Sequence, residues 1–290
     1  MPNLTNHLCC PKCKKNLTSK KGELWCTKCH QGYEIREGIP ILVDLQHLPS
    51  HLQKQVEYFE EEDASRPHFE LAPWQKRYVA NFLKYSQPKI GSLIVDNATG
   101  SGYMAVELAR RGFKVIAIDL TLKELLKLKQ VLQQFNLTKN VSLICASSED
   151  LPLKSGIADG LVANAILEHL PREAQAIKEI GRVVKKDAPV MIAVPLAYRY
   201  LWPFLWPVNW WHDRRIGHLR RYSRREILAK FKGYHEVYTY YTGHLLKILC
   251  LGLYLLTRQN FWNKLGEWFD EKLESQRYGA SNVVTVLKKL

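Results

Sequence analysis

Apolar and polar residues follow two rhythms along this chain, and each rhythm predicts one kind of element. From residue 73 onwards, short apolar runs alternate with longer stretches in which apolar residues recur at helical spacing. Short apolar runs predict buried strands, and the helical spacing predicts amphipathic helices. The predicted strands cover 91–98, 113–120, 141–147, 158–165 and 188–195, and the predicted helices cover 104–112, 122–135 and 172–184. This alternation predicts an α/β fold with a parallel sheet covered on both faces.

The alternation breaks after Pro195, where a Trp-rich and then Arg-rich stretch runs to residue 222. Beyond it, the pattern predicts a helix capped by Ser223 and late strands over 235–241 and 281–289. A different pattern, rich in Cys, occupies the N-terminus. The predicted domains are a small unit over 1–43, a linker with some helix over 44–70, and an α/β domain over 71–290 with a lid or insertion at about 196–222.

The composition narrows the class of protein. The chain has 290 residues, of which 46% are hydrophobic and 24% charged, which excludes a disordered or fibrous protein. The net charge of +14 favours anionic partners: nucleic acid, an anionic membrane or phosphorylated substrates. The longest near-apolar run, 245–256, is shorter than the ~20 residues that span a bilayer, and the N-terminus lacks a signal-peptide core. We therefore expect a cytoplasmic protein, with peripheral contact at the inner membrane face as an option.

Two CxxC pairs predict a metal site in the N-terminal unit. Cys10 and Cys13 form the first pair, Cys26 and Cys29 the second, and five of the seven cysteines fall within the first 29 residues. Each pair supplies two thiolates, so two pairs complete a tetrahedral Cys₄ site for zinc. Four thiolates leave no open position, which predicts a structural rather than a catalytic zinc. The alternatives are a redox dithiol and a degenerate ribbon without metal.

The sequence LCCPKCKKNL…GELWCTKCHQGYEIREGIPILV also resembles a known family. It is similar to the short zinc-ribbon domain that activates tRNA and translation-factor methyltransferases, including the Gly-Ile-Pro stretch at 38–40. The resemblance covers about the first 43 residues. It implies that this unit either docks on the α/β domain or recruits a partner.

A glycine turn follows the first predicted strand of the α/β domain. Asp96 lies in the strand, and Gly100 and Gly102 in the turn let a ligand approach the backbone at the start of the next helix. Asp119 ends the next strand, 19 residues after Gly100, which is the spacing of an acidic residue that binds a ribose diol. The chain has no GxxxxGK[ST] sequence, and Ala98 replaces the first glycine of a dinucleotide fingerprint.

These residues resemble class I S-adenosylmethionine (SAM) methyltransferases of the type 11 group. Further similarities are SEDLPL at 148–153, ADGLV at 158–162 with LEHL at 167–170, and EIGRVV at 179–184. The resemblance covers roughly residues 70–290. It implies a Rossmann-like seven-stranded methyltransferase sheet with the last strand antiparallel, binding SAM at the carboxyl ends of the strands.

The resemblance assigns SAM contacts to nine residues: Asp96, Ala98, Gly100, Gly102, Asp119, Leu120, Ser147, Ser148 and Asn164. It implies that Asp96 and Gly100 face the methionine part, that Asn164 approaches its amino group, and that Asp119 holds the ribose hydroxyls.

The adenine contacts come from Leu120, Ser147 and Ser148. Ala98, in place of glycine, and Ser147, where an Asp is common, depart from the family pattern, and either departure would weaken SAM binding.

Three residues are candidates for handling the methyl acceptor. His169 follows the fourth strand and is a candidate general base, with a packing role as the alternative. His218 and Tyr222 belong to GHLRRYS at 217–223, which resembles a signature of some bacterial type 11 methyltransferases. Arginines in this stretch would clamp phosphate or carboxylate, and Glu168 is expected to be structural or to face solvent.

Three hypotheses remain for the acceptor. The favoured acceptor is a small or lipid-linked anionic molecule, with the tryptophans of 202–211 and the run 245–256 at a membrane interface. The second is rRNA or tRNA, in keeping with the basic charge. The third is a non-catalytic SAM-binding adaptor whose ribbon binds another methyltransferase. The sequence does not determine the acceptor atom or the oligomeric state.

Overall fold

The computed structural model describes residues 4–20, 22–62 and 71–290, and the N-terminal unit forms two small antiparallel sheets. The first contains β1 (Thr18–Lys20), β2 (Glu23–Cys26) and β3 (Gln31–Tyr33), and the second pairs β4 (Ile35–Arg36) with β5 (Ile39–Pro40). The first CxxC pair flanks a turn before β1, and the second flanks the turn between β2 and β3, with Cys26 as the last residue of β2. A unit this short cannot form a large apolar core alone, and its buried apolar residues pack against the rest of the chain.

A seven-stranded sheet forms the centre of the molecule. Its strands are β6 (Leu93–Asn97), β7 (Lys114–Asp119), β8 (Val141–Cys145), β9 (Gly160–Asn164), β10 (Pro189–Pro195), β11 (Tyr234–Thr242) and β12 (Asn282–Lys289). They are ordered β11-β12-β10-β9-β6-β7-β8, and only β12 runs antiparallel to its neighbours. The predicted class I methyltransferase sheet, with its last strand antiparallel, is therefore confirmed.

Helices cover both faces of this sheet. They are α1 (Ser50–Glu62), α2 (Pro73–Ser86), α3 (Tyr103–Arg110), α4 (Leu122–Gln134), α5 (Glu173–Val183), α6 (Trp206–Ile216), α7 (Arg224–Lys230), α8 (Leu245–Thr257) and α9 (Asn260–Lys272). The central strands are continuous apolar runs because both of their faces are buried; every residue of β10 is buried, for example. As predicted, Ser223 caps α7. Its Oγ accepts a hydrogen bond from the Glu226 backbone N–H, and the Glu226 carboxylate accepts one from the Ser223 backbone N–H.

The N-terminal unit docks against the α/β domain. Ile41 pairs in parallel with Cys145, so the chain after β5 extends the sheet beyond its edge strand β8. The Cys9 N–H donates to the Pro152 carbonyl at 2.9 Å, and Lys14 Nζ lies 2.6 Å from Glu179 Oε2. The ribbon and one face of the sheet therefore share a single apolar core.

Helices α1, α8 and α9 lie outside the simple strand–helix alternation. Helix α1 falls within the predicted linker and packs over the carboxyl ends of the strands. Helices α8 and α9 pack against each other between β11 and β12. They are attached through Asp270, which is fully buried and accepts hydrogen bonds from His244 and Arg77. Within the described ranges, no helix combines the length and the apolar character needed to cross a bilayer.

Candidate active site

A deep cavity of about 790 Å³ opens at the carboxyl ends of β6, β7, β9 and β10. Parallel strands end together at this edge, and the loops that follow them are free to contact a ligand. Helix α1 contributes Leu52, Gln55, Val56 and Phe59 to the wall. The segment predicted to be a linker therefore helps to enclose the cavity, a contribution that its polar sequence did not indicate.

The glycine turn after β6 forms the floor of this cavity. Gly100 has a φ of 50°, and a Cβ built on it would meet no atom within 4 Å, so its backbone faces open space. Ala98 also has a positive φ, of 60°, a conformation that favours glycine. Gly102 does not line the cavity. It caps α3, and a Cβ there would lie 2.3 Å from Leu128 Cδ1, so its role is to allow α3 to approach α4.

Two carboxylates hold the turn in place. Asp96 is 2% exposed, and its Oδ2 accepts from Thr99 Oγ1 at 2.6 Å and from the Ala105 N–H at 3.1 Å. Burial raises the pKa of Asp96 to about 6. Asp119, at the end of β7, accepts from the Gly100 N–H through Oδ2 and from the Thr121 N–H through Oδ1. These bonds fix the Asp119 carboxylate at the cavity wall, where each oxygen retains a lone pair for a ligand hydroxyl.

The remaining predicted SAM contacts line the same cavity. Leu120, Ser147 and Ser148 all reach its wall, and Ser148 Oγ donates to Asn97 Oδ1 at 2.9 Å. Asn164 Nδ2 donates to the Tyr103 hydroxyl at 2.7 Å. Its buried Oδ1 has no hydrogen-bond partner in the described part of the chain. That oxygen is a free acceptor, which suits a ligand ammonium group.

Three polar side chains form a cluster in the cavity, Glu168, His169 and His218. One ligand atom from each lies within 4.8 Å of the others. His218 Nδ1 lies 2.9 Å from Asp213 Oδ1, which turns Nε2 towards Glu168 Oε1 at 3.8 Å. Glu168 is 0% exposed and lies in the cavity wall, so of its two expected roles, structural or solvent-facing, the solvent-facing one is excluded.

Burial strongly shifts the pKa values of Glu168 and His169. Desolvation raises the pKa of Glu168 to about 8. Desolvation, followed by the nearby His218, lowers the pKa of His169 to about 3. A ring with so low a pKa is a weak base at neutral pH, which disfavours His169 as the general base.

The other acceptor candidates have mainly structural contacts. Tyr222 is 2% exposed and lies outside the cavity lining, because its backbone bridges Pro195 and Ala197 and its ring packs into the core. Arg221 binds both oxygens of Asp213, and Arg220 donates to the Leu167 and Leu170 carbonyls. These two arginines therefore order the loop and are not free to clamp an acceptor.

Gly217 explains how helix α1 closes this end of the cavity. Its φ is 74°, and a Cβ there would lie 2.0 Å from Gln55 Nε2, which donates to the Ile216 carbonyl. His51 Nε2 donates to the His169 carbonyl, and the Phe59 ring lies against the His169 ring. Sequence reasoning missed Gln55, Phe59 and Asp213, although the glycine before His218 was a local sign of a close approach.

The four predicted zinc ligands also come together. The Sγ atoms of Cys10, Cys13, Cys26 and Cys29 all lie within 4.8 Å of one another. The Cys13–Cys26 separation is 3.5 Å and the Cys10–Cys29 separation 3.9 Å, against about 3.8 Å between thiolates around a tetrahedral zinc. Cys9 stands apart, since its Sγ donates to the Leu153 carbonyl.

Comparison with known families agrees with this arrangement. Residues 95–192 match the methyltransferase domain family, and residues 2–38 match the Trm112p-like protein family. The chain thus joins a segment that matches the Trm112p-like protein family to a segment that matches the methyltransferase domain family. Both predicted resemblances are confirmed.

Curated relatives match only in part. An uncharacterised chloroplastic methyltransferase of Arabidopsis thaliana is 26% identical over 68% of this chain and 56% of its own length. A ubiquinone/menaquinone biosynthesis C-methyltransferase of Geotalea uraniireducens is 26% identical over 40% of this chain and 50% of its own. The chain therefore spans about half the length of these relatives.

Solved structures show the same fold. Geranyl diphosphate C-methyltransferase from Streptomyces coelicolor superposes with a TM-score of 0.61 at 13% identity, over 83% of this chain and 99% of that one. The YcgJ protein of Bacillus subtilis gives 0.54 at 16% identity, over 74% and 98%.

Proposed function

We propose that this chain, a methyltransferase domain behind a Trm112p-like ribbon, transfers a methyl group from SAM to an anionic lipid-linked acceptor. One observation carries the proposal: the cavity presents the Asp119 carboxylate and the unpaired Asn164 oxygen on the same wall as an open glycine turn. SAM requires a hydrogen-bond acceptor for its ribose diol, another for its ammonium group, and a stretch of backbone that it can approach closely.

The residues of the cavity fit SAM group by group. Asp119 would bind the ribose hydroxyls, and Asn164 Oδ1 would accept from the methionine ammonium. Leu120, Ser147 and Ser148 would hold the adenine. When bound, SAM supplies a methyl group that its sulfonium already makes electrophilic. The protein then has to align the acceptor and exclude water, and alignment can contribute about 7–11 kcal/mol to lowering the barrier.

Helix α1 and the histidine cluster would perform that alignment. The α1 side chains Gln55 and Phe59 cover His169 and the loop that carries His218. The cluster of Glu168, His169 and His218 is a polar patch in an otherwise largely apolar cavity, so the acceptor's nucleophilic group would lie against it.

The surface beside the cavity favours a lipid-linked acceptor. Lys247, Ile248 and Leu251 of helix α8 line the cavity wall. Other leucines of α8 are exposed to solvent, among them Leu256, which is 82% exposed. Helix α6 exposes Trp206, Trp210 and Trp211. Exposed apolar patches of this kind mark interaction surfaces, and tryptophans favour the membrane interface.

Positive charge accompanies this apolar surface. The guanidinium groups of Arg214 and Arg215 lie over the rings of Trp210 and Trp211, with 4.4 Å between Arg214 Cζ and the Trp210 ring centre. Anionic headgroups attract such residues by about 1 kcal/mol each. The similarity to ubiquinone/menaquinone biosynthesis C-methyltransferases further supports an amphiphilic acceptor.

The ribbon would hold a structural zinc ion. Its four thiolates match a closed tetrahedral site, and its contacts with Pro152 and Glu179 connect that site to the segment that follows Ser148. Zinc would then stabilise one end of the SAM cavity without taking part in the reaction.

Calorimetric titration with SAM and S-adenosylhomocysteine tests the cofactor site. Wild-type protein should bind both, and Asp119→Ala should weaken binding by roughly tenfold or more because a hydrogen-bonded charged group contributes about 1.5–3 kcal/mol. Asp187→Ala, in an exposed turn, is the control. No binding by the wild type would contradict the proposal.

Vesicle flotation tests the acceptor class. The wild type should float with anionic vesicles more than with zwitterionic ones, and Leu249→Asp/Leu256→Asp should abolish flotation while leaving S-adenosylhomocysteine binding intact. Ile90→Asp is a matched control, since Ile90 is 81% exposed but lies outside α8 and α6. Salt-sensitive binding to rRNA in place of vesicle binding would overturn the lipid-linked acceptor.

A further inference from the structure

The Glu168–His169–His218 cluster has unpaired polar atoms that the fold alone does not explain. Neither carboxylate oxygen of Glu168 has a hydrogen-bond partner within the described residues, and neither does His169 Nδ1. Glu168 is 0% exposed and His169 is 5% exposed. An unpaired buried polar group costs about 1–3 kcal/mol, so three such atoms on two neighbouring residues of one cluster require a ligand or a similar compensation.

We propose that Glu168, His169 and His218 bind a divalent transition-metal cation inside the cavity. Two imidazoles and one carboxylate suit Zn²⁺, Mn²⁺ or Fe²⁺ better than the all-oxygen preference of Mg²⁺ or Ca²⁺. The 3.8 Å between His218 Nε2 and Glu168 Oε1 is a suitable separation for ligands about 2.1 Å from a shared ion. Three protein ligands leave positions open, unlike the four thiolates of the ribbon.

The surrounding contacts orient the ligands for this role. Asp213 Oδ1 lies 2.9 Å from His218 Nδ1, which leaves Nε2 as the binding nitrogen. Asp213 is itself held by both Nε and Nη2 of Arg221 and by the Tyr198 hydroxyl. A carboxylate behind a ligating histidine is the usual arrangement at metal sites, because it fixes the tautomer and the ring orientation. The basic groups nearest the cluster, Arg220 and Arg221, direct their hydrogen bonds to backbone carbonyls and to Asp213, and neither donates one to Glu168.

A cation here would define the acceptor, and this part of the inference rests on the proposed function. An open metal position binds oxygen and lowers the pKa of a bound hydroxyl. The acceptor would be a phenol or another hydroxyl compound that releases its proton to water on binding. Its oxygen would then form the O–CH₃ bond as the CH₃–S⁺ bond breaks, which yields a methyl ether and neutral S-adenosylhomocysteine.

Metal binding is measured on zinc-loaded protein by titration with Mn²⁺, followed by electron paramagnetic resonance. Mn²⁺ prefers oxygen and nitrogen ligands and does not displace zinc from thiolates, so the ribbon stays loaded. The wild type should bind one Mn²⁺ per chain. Glu168→Gln and His218→Asn should each weaken binding at least tenfold, and His212→Asn, a cavity histidine outside the cluster, should not.

The same samples are titrated with S-adenosylhomocysteine to show that each variant is folded, and their zinc content is measured after incubation with excess Zn²⁺. A second equivalent of zinc in the wild type, lost in Glu168→Gln, would also support the site. The inference fails if the wild type binds S-adenosylhomocysteine but neither Mn²⁺ nor a second zinc, or if both variants bind Mn²⁺ as well as the wild type does. Metal binding without cofactor binding would instead contradict the proposed function alone.

Discussion

At the scale of single residues, Ala98 shows how a departure from a motif affects the protein. It has a φ of 60° at the cavity floor, where an L side chain costs about 1–2 kcal/mol. Ala98→Gly relieves that strain and adds some entropy to the unfolded chain, so we expect the free energy of unfolding to rise by about 1 kcal/mol. Denaturant titration measures it. Ala176→Gly, in α5, is the control and should instead lower stability by about 1 kcal/mol or more; a lower stability of Ala98→Gly would contradict the strain argument.

At the scale of elements, one buried carboxylate attaches the pair α8–α9 to the domain. Burial alone would raise the pKa of Asp270, but hydrogen bonds from His244 and the charges of Lys247 and Arg77 hold it well below its usual range. Asp270→Ala leaves Arg77 unpaired, and breaking such a buried pair costs about 3–5 kcal/mol. Thermal unfolding should show this loss, and Glu271→Ala, which removes an exposed carboxylate from the same helix, should not.

The same carboxylate predicts an acid sensitivity. Because the folded pKa of Asp270 lies below its unfolded value of about 3.9, its contribution is present above pH 4 and is lost as the pH falls further. The stability difference between wild type and Asp270→Ala should therefore be constant near neutrality and shrink below pH 4. A difference that stayed constant down to pH 2 would exclude the ionised carboxylate as the source of the stability.

At the scale of the whole molecule, the ribbon and the proposed SAM cavity share one core. The ribbon contacts Pro152 and Leu153, just beyond the serines of the cavity wall, and Glu179 in α5. Removing zinc with a chelator, or by Cys26→Ser, should lower the melting temperature and weaken S-adenosylhomocysteine binding by on the order of tenfold. Cys250→Ser, in α8, should keep its zinc and its affinity. An unchanged affinity in the zinc-free protein would show that the ribbon and the cavity are energetically independent.

The sequence by itself determined the order of the central strands and helices along the chain, the four cysteines of the ribbon, and the glycine turn and Asp119 of the cavity wall. These follow from local signals: apolar runs of strand length, CxxC spacing, and a glycine turn with Asp119 at a fixed distance. Family resemblance then supplied the number of strands and the antiparallel direction of the last one.

Only the tertiary structure decided which distant residues meet. Helix α1, which forms from a polar segment, packs over His169, and Asp213 hydrogen-bonds to His218 from behind. Tyr222 is buried in the core, and Arg220 and Arg221 point inward. Such contacts join residues up to 161 positions apart, as between Gln55 and Ile216, and no local spacing encodes them. They depend on how the loops after the strands pack together, because packing rather than sequence periodicity determines which polar groups are buried and which partners they find.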